Sequence, residues 1–159
     1  MFVGTSQHSV DQKSRVFVPK RIQDGLTRTA TGGFQGYLAP GEDGCLCLFP
    51  VATFQAAADE LSTRVFASEE ARAARRLFFG QAVPIELDGS GRILIPEDLR
   101  ERFGISKEVV IVGVEDRAEL WPVQAWKSYQ TKHAGILNKL ARVAGAPPPT
   151  SSPPAAGGG

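Results

Sequence analysis

The chain lacks any apolar run near the roughly 18 residues needed to cross a bilayer, and residues 1 to 10 hold no basic stretch leading into an apolar one. No membrane partner is expected, and the location expected is cytoplasmic. The residue types that hold metals or drive catalysis are equally scarce, with two Cys and two His in the whole chain. Cys45 and Cys47 lie one residue apart in an apolar run that reads as a strand, so both thiols point to one face, at a spacing that strains a disulfide. A metal reading needs more ligands than these two thiols and the distant His8 and His133, so core packing is the better account and no metal or cofactor is expected. Catalytic signatures are missing too. There is no His-Glu-x-x-His, no Gly-x-Ser-x-Gly and no Gly-x-x-x-x-Gly-Lys, and Gly32-Gly33-Phe34-Gln35-Gly36 reads as a turn rather than a phosphate cradle. An enzyme is not expected.

A large excess of one charge is also absent, since the net charge is +1. Placement matters more than the sum. Residues 1 to 40 carry Lys13, Arg15, Lys20, Arg21 and Arg28 against only Asp11 and Asp24, a local balance of 5 − 2 = +3, which makes the amino-terminal segment the basic end. With 42% hydrophobic and 22% charged residues, the 159-residue chain has the composition of an ordinary globular domain.

An internal repeat organises it. Asp11-Gln12-Lys13-Ser14-Arg15-Val16-Phe17-Val18-Pro19 returns as Asp88-Gly89-Ser90-Gly91-Arg92-Ile93-Leu94-Ile95-Pro96, with Asp, Arg, three apolar residues and Pro in register. Phe49-Pro50-Val51-Ala52-Thr53-Phe54 is echoed by Trp121-Pro122-Val123-Gln124-Ala125-Trp126. From Pro19 to Pro50 is 31 residues and from Pro96 to Pro122 is 26, and the Thr- and Gly-rich stretch from Thr27 to Gly36 is the natural place for the extra length. Each copy is too small for a large core of its own, so the two are expected to pack on one another as a pseudo-symmetric unit.

Each copy reads as strand, tight turn, strand, then a short helix whose first turn contains the Pro. Ile85-Glu86-Leu87 and Arg92 to Ile95 flank Asp88-Gly89-Ser90-Gly91 as a hairpin signal, and Pro96 to Phe103 reads as a helix stopped at Gly104. Glu108 to Val114 and Ala118 to Trp121 add strands. Val51 to Leu61 and Ser68 to Phe79 read as a helical pair, with Glu69 and Glu70 at the second helix's start and Arg72, Arg75 and Arg76 at its end. Val123 to Val143 has amphipathic spacing weakened at Gly135, and Pro147 to Gly159 is a Pro/Gly-rich segment without core-forming residues, read as a disordered tail. The fold class expected is α+β, β-rich, with a pseudo-twofold repeat and helices after each copy.

The Asp-x-x-x-Arg turn carries the functional argument. The Asp carboxylate can accept loop N–H bonds while the Arg crosses back to it, which fixes the loop and holds a guanidinium on a rigid element. Asp11 with Arg15 and Asp88 with Arg92 can equally be plain structural bridges. In the first copy Lys13 at the tip, with Lys20 and Arg21 just beyond the strand, favours a phosphate-facing surface. The aromatics Phe49, Phe54, Trp121 and Trp126 suit core or interface packing and do not discriminate between readings.

Together, Met1-Phe2-Val3-Gly4, His8, the turns Asp11 to Arg15 and Asp88 to Arg92, and Glu108-Val109-Val110-Ile111-Val112-Gly113-Val114 resemble the MraZ family, over residues 1 to about 130. The resemblance implies a swapped-hairpin, AbrB-like barrel in a bacterial regulator that assembles into rings, associates with the nucleoid and represses from promoter repeats ahead of the division and cell-wall gene cluster. It places Arg15 on a guanine edge, Lys13 on a phosphate or neighbouring base, Arg92 on a second contact, and Asp11 and Asp88 as the groups that orient the arginines, while Lys20 and Arg21 join the expected DNA-binding set by charge placement alone. Ser14 stands where the family pattern has Gly, and Val3 where Arg is common. On this basis residues 1–55 form the first AbrB-like repeat, 56–81 connecting helices, 82–128 the second repeat, 129–146 a C-terminal helix and 147–159 the tail. The partner implied is double-stranded promoter DNA with direct repeats, bound by a homo-oligomer. An oligomeric protein-interaction module without specific DNA binding is the alternative.

Overall fold

A computed structural model describes residues 1–62 and 68–145, so the expected tail at 147–159 lies outside the described residues. The chain is α+β, with nine strands and six helices among the described residues. No helix there is long and apolar enough to cross a membrane. The repeat recognised in the sequence is written into the strand register. β1 (Thr5–Ser9) pairs with β8 (Glu108–Val114), placing His8 opposite Val109, whereas β6 (Val83–Glu86) pairs with β4 (Phe34–Pro40), placing Ile85 opposite Gly36. Each copy therefore gives its first strand to the other copy's sheet. β5 (Leu46–Phe49) and β9 (Arg117–Trp121) join the copies antiparallel, with Cys47 facing Glu119. The hydrogen-bonded order β1-β8-β9-β5-β4 is flanked by β6 and the short β3 (Thr27–Arg28), both on β4.

The composition of each strand matches its place. β5 and most of β8 are continuous apolar runs, buried in the sheet's interior. The exchanged strands β1 and β6 are edges, and they carry what edges tolerate: alternating Thr, Ser, Gln and His in β1, and Pro84 in β6. Tyr37 and Val110 occupy equivalent positions opposite Phe49 and Trp121. Pro19 to Tyr37 is 18 residues and Pro96 to Val110 is 14, so most of the additional length of the first copy falls in the stretch that includes the β3–β4 hairpin.

A second, two-stranded ribbon is made by β2 (Arg15–Phe17) and β7 (Arg92–Leu94). The turns do not close the simple hairpins that the sequence predicts. After each turn the two arms part: β6 goes to β4, β7 goes to β2, and β2 keeps only an isolated bridge from Val16 back to Val10. The arms part because the apolar residues Val16, Val18, Ile93 and Ile95 are fully buried in the core formed by both copies, together with Ile22, Leu38, Leu48, Leu99, Ile111 and Leu120.

The short helices α1 (Lys20–Gln23) and α4 (Glu97–Arg102) begin after Pro19 and Pro96, so each Pro precedes its helix instead of lying in the first turn. α2 (Val51–Ser62) and α3 (Glu69–Gln81) cover β4 and β5 through an aromatic cluster in which Phe54 stacks on Tyr37 at 4.1 Å and meets Phe78 at 5.8 Å. Ser68 caps α3 by accepting from the Ala71 N–H. Because α3 runs on to Gln81, Arg72, Arg75 and Arg76 sit within it and not in its last turn. The single C-terminal helix expected is two: α5 (Val123–Lys132) and α6 (Ile136–Val143), separated at Gly135, whose φ of 83° no helix interior adopts. Among the described residues, those up to Trp126 form one compact unit and residues 127–145 another. In the second, Tyr129 and His133 rings lie 4.4 Å apart, and α6 exposes Leu137, Leu140 and Val143.

Candidate nucleic-acid interface

The two Asp-x-x-x-Arg turns have the same internal wiring. In the first, Asp11 Oδ1 accepts from the Lys13 and Arg15 backbone N–H groups, each at 2.9 Å, and Oδ2 accepts from Arg15 Nε at 2.9 Å. In the second, Asp88 Oδ1 accepts from Ser90 N at 2.9 Å and Arg92 N at 3.0 Å, and Oδ2 from Arg92 Nε at 2.9 Å. Backbone bonds close both loops, Ser14 N and Gly91 N donating to the Asp11 and Asp88 carbonyls. These bonds favour the carboxylate form. The Arg15 backbone N–H first, and the guanidinium after it, hold the Asp11 carboxyl below its ordinary value, and Arg92 does the same for Asp88.

The antiparallel pairing of β2 with β7 brings the turns together. Val18 N donates to the Gly91 carbonyl and Ile95 N to the Ser14 carbonyl, both at 2.9 Å, and Arg92 Nη1 lies 3.7 Å from Asp11 Oδ2. Two turns 77 residues apart in sequence thus form one platform carrying Lys13, Arg15 and Arg92 against Asp11 and Asp88. Each Asp engages its Arg at Nε. Among the described residues neither Nη group of Arg15 has a hydrogen-bond partner. Lys13 is exposed and unpaired there as well.

The remaining expected site residues stand apart from this platform. Lys20 is exposed on α1, 3.0 Å from Asp24. Arg21 donates from Nε to the Val3 carbonyl at 3.0 Å and from Nη2 to Ser6 Oγ at 2.9 Å, so it ties the amino-terminal segment to α1. Next to it, burial and then the Arg21 charge lower the His8 pKa, keeping the imidazole neutral at pH 7.

Ser14 adopts φ 63° and its counterpart Gly91 φ 75°, so the Ser occupies the left-handed conformation that the turn demands. One positioning residue escaped the sequence reading. Gln23, buried on α1, donates from Nε2 to the Val18 carbonyl at 2.7 Å and lies against Gly91 so closely that a Cβ there would strike its side-chain amide. Neither Gln23 nor its environment has a signal in a single repeat, because the contact crosses from one copy to the other.

The register also supplies a donor that the sequence count lacked. Cys45, Cys47 and Glu119 place their ligand atoms within 4.8 Å of one another. Both Glu119 oxygens are already engaged, Oε1 by Arg117 Nη2 at 3.3 Å and Oε2 by Trp121 Nε1 at 3.0 Å, and the hydrogen bond with the Cys47 thiol, then burial, pushes the Cys45 thiol up. The group sits where the β4–β5 turn enters β5 beside β9, with its carboxylate already bonded.

Comparison with known proteins agrees with this architecture. The model of the family described as "MraZ protein, putative antitoxin-like" matches twice, over residues 1–77 and 78–145. The chain is 39% identical over 143 residues to the "Transcriptional regulator MraZ" of Symbiobacterium thermophilum, covering 90% of this chain and 99% of that one. It is 40% identical to the protein of the same name from Pelotomaculum thermopropionicum, covering 89% and 93%, and 39% identical to that from Clostridium beijerinckii, covering 81% and 87%.

Proposed function

The chain belongs to the MraZ family, and from that premise we propose that it is a transcriptional regulator that binds promoter DNA through the platform formed by its two turns. The observation that carries the reading is the side-by-side placement of Arg15 and Arg92, each held at Nε by its own Asp, on a two-stranded ribbon of a size the major groove admits. Arg15 reads a guanine edge, Arg92 makes a second base or backbone contact, and Lys13 meets a phosphate. Lys20 and Arg21, set apart from the platform, are weaker contributors, since Asp24 and the amino-terminal segment already engage them. The reading extends to repression, to direct repeats upstream of the division and cell-wall genes, and to a ring. One subunit offers few contacts. A ring presenting several platforms to spaced repeats converts later contacts into intramolecular ones, so occupancy rises steeply with repeat number.

Arg15→Ala tests it. A bidentate Arg–guanine contact is worth about 1–3 kcal/mol, so the variant is expected to lose about fivefold to 150-fold in affinity for its own upstream DNA in an electrophoretic shift. Light scattering is expected to show an unchanged oligomer. Equal affinity of variant and parent, or equal competition by scrambled repeats, sinks the assignment. An oligomeric protein-interaction module is separated from this reading by salt, because DNA affinity falls with ionic strength by a slope of about 0.9 per neutralised phosphate and an apolar interface shows no such slope.

A further inference from the structure

The outer face of the β2–β7 ribbon carries more than arginines. Alternation turns Val16 and Ile93 inward, where both are fully buried, and leaves Arg15, Phe17, Arg92 and Leu94 outside. The register sets Arg15 opposite Leu94 and Phe17 opposite Arg92. Each guanidinium therefore has one apolar neighbour across the ribbon, about 5 Å away between Cβ atoms, and another two residues along its own strand, about 6.8 Å away. Phe17 remains 45% exposed and Leu94 56%, although the Phe17 ring lies 5.9 Å from that of His8. The two are equivalent by the repeat, so both copies leave a large apolar side chain in water beside the Arg that each Asp orients.

A surface of this kind has a specific complement. The floor of the major groove presents the N7 and O6 acceptors of guanine and one apolar group, the C5 methyl of thymine. A second copy of this protein would satisfy Phe17 and Leu94 but would bring Lys13, Arg15 and Arg92 against their own kind, whereas a duplex answers both the charges and the apolar groups. We infer that Phe17 and Leu94 are specificity-determining residues that contact thymine methyl groups next to the guanines read by Arg15 and Arg92. The 6.8 Å spacing along a strand equals about two base-pair steps of 3.4 Å, so the thymines lie within two base pairs of those guanines. This inference rests on the DNA-binding reading of the turns.

The experiment uses the full-length protein and a duplex from its own upstream region. Guanines are mapped by substituting 7-deazaguanine, which removes N7, and each neighbouring thymine is then replaced by deoxyuridine, which removes only the methyl. Loss of one buried methyl is expected to weaken binding about fourfold at one or more thymines within two base pairs of a mapped guanine. Phe17→Ala and Leu94→Ala are each expected to erase that discrimination at a different thymine and to keep the guanine dependence. Both side chains are exposed, so the core survives their truncation, and circular dichroism of Phe17→Ala and of a second variant, Phe17→Ser, checks it. Guanine-dependent binding that ignores every thymine-to-deoxyuridine change overturns this inference and leaves the proposed function standing. So does full methyl discrimination in both alanine variants, or dissociation of the oligomer by them, which marks the face as a subunit contact. Binding with no guanine dependence overturns the proposed function and this inference together.

Discussion

The two turns of this molecule share a frame and differ at the tip. Asp11 and Asp88 each collect two backbone N–H groups and one guanidinium Nε at nearly identical distances. Between Asp and Arg, however, the first copy has Gln12, Lys13 and Ser14 where the second has Gly89, Ser90 and Gly91. Geometry is thus dictated by the two charged residues and the closing backbone bonds, while the three residues between them are free to set charge and strain. The helices behind the tips diverge too. Gln23 satisfies its amide on the Val18 carbonyl, whereas its counterpart Arg100 keeps a buried Nε with no partner among the described residues.

The largest break in that comparison is expected at the left-handed position. Gly91→Ala adds strain of about 1 kcal/mol for the positive φ, and its Cβ also displaces the Gln23 amide, so urea denaturation is expected to show a loss of about 1–2 kcal/mol. Ser14→Gly runs the other way, with a gain of no more than about 1 kcal/mol. A neutral Gly91→Ala would mean that the Gln23 contact does not hold the second turn.

Charge at the tip is the next lever. Lys13→Ser is expected to reduce the slope of log affinity against log salt by about 1 per bound loop, and Ser90→Lys to raise it by the same amount. Slopes that do not move with either change would separate the tips from the phosphates and leave the arginines to act alone.

Acid provides the smallest and most even-handed test, since both carboxylates are depressed for the same reason. A folded pKa below the unfolded one contributes stability that is complete above the ordinary Asp value of about 3.9 and disappears as pH falls through the lower, folded value. No change in the turns' contribution is therefore expected between pH 7 and 5. Below about pH 4 the parent is expected to lose more stability than an Asp11→Asn, Asp88→Asn double variant, measured by denaturant unfolding at each pH. Equal acid sensitivity of the two proteins would remove the turns from the acid response.

Much of this was legible in the residues. The matched Asp, Arg and Pro positions, 77 apart, located both turns, and the apolar runs located β5 and β8. Local patterns could not say where the arms go, because alternation with Arg15 and Arg92 marks which face is buried but not which strand each arm pairs with. Only the MraZ resemblance pointed to strand exchange. Gln23 against Gly91 and Glu119 against Cys47 were invisible for a related reason: each contact joins different copies, and nothing within one copy records it. The helical spacing around Gly135 predicts one weakened helix, and its left-handed φ makes it a break between two.

The exchange of first strands between copies joined in one polypeptide has a further consequence. Two identical chains assembled this way would be bound to a symmetric outline, and symmetric proteins are matched to palindromes. Covalent linkage releases each tip to drift alone, so the molecule gains a head and a tail, and on the proposed DNA-binding function it would tell a sequence from its own reversal.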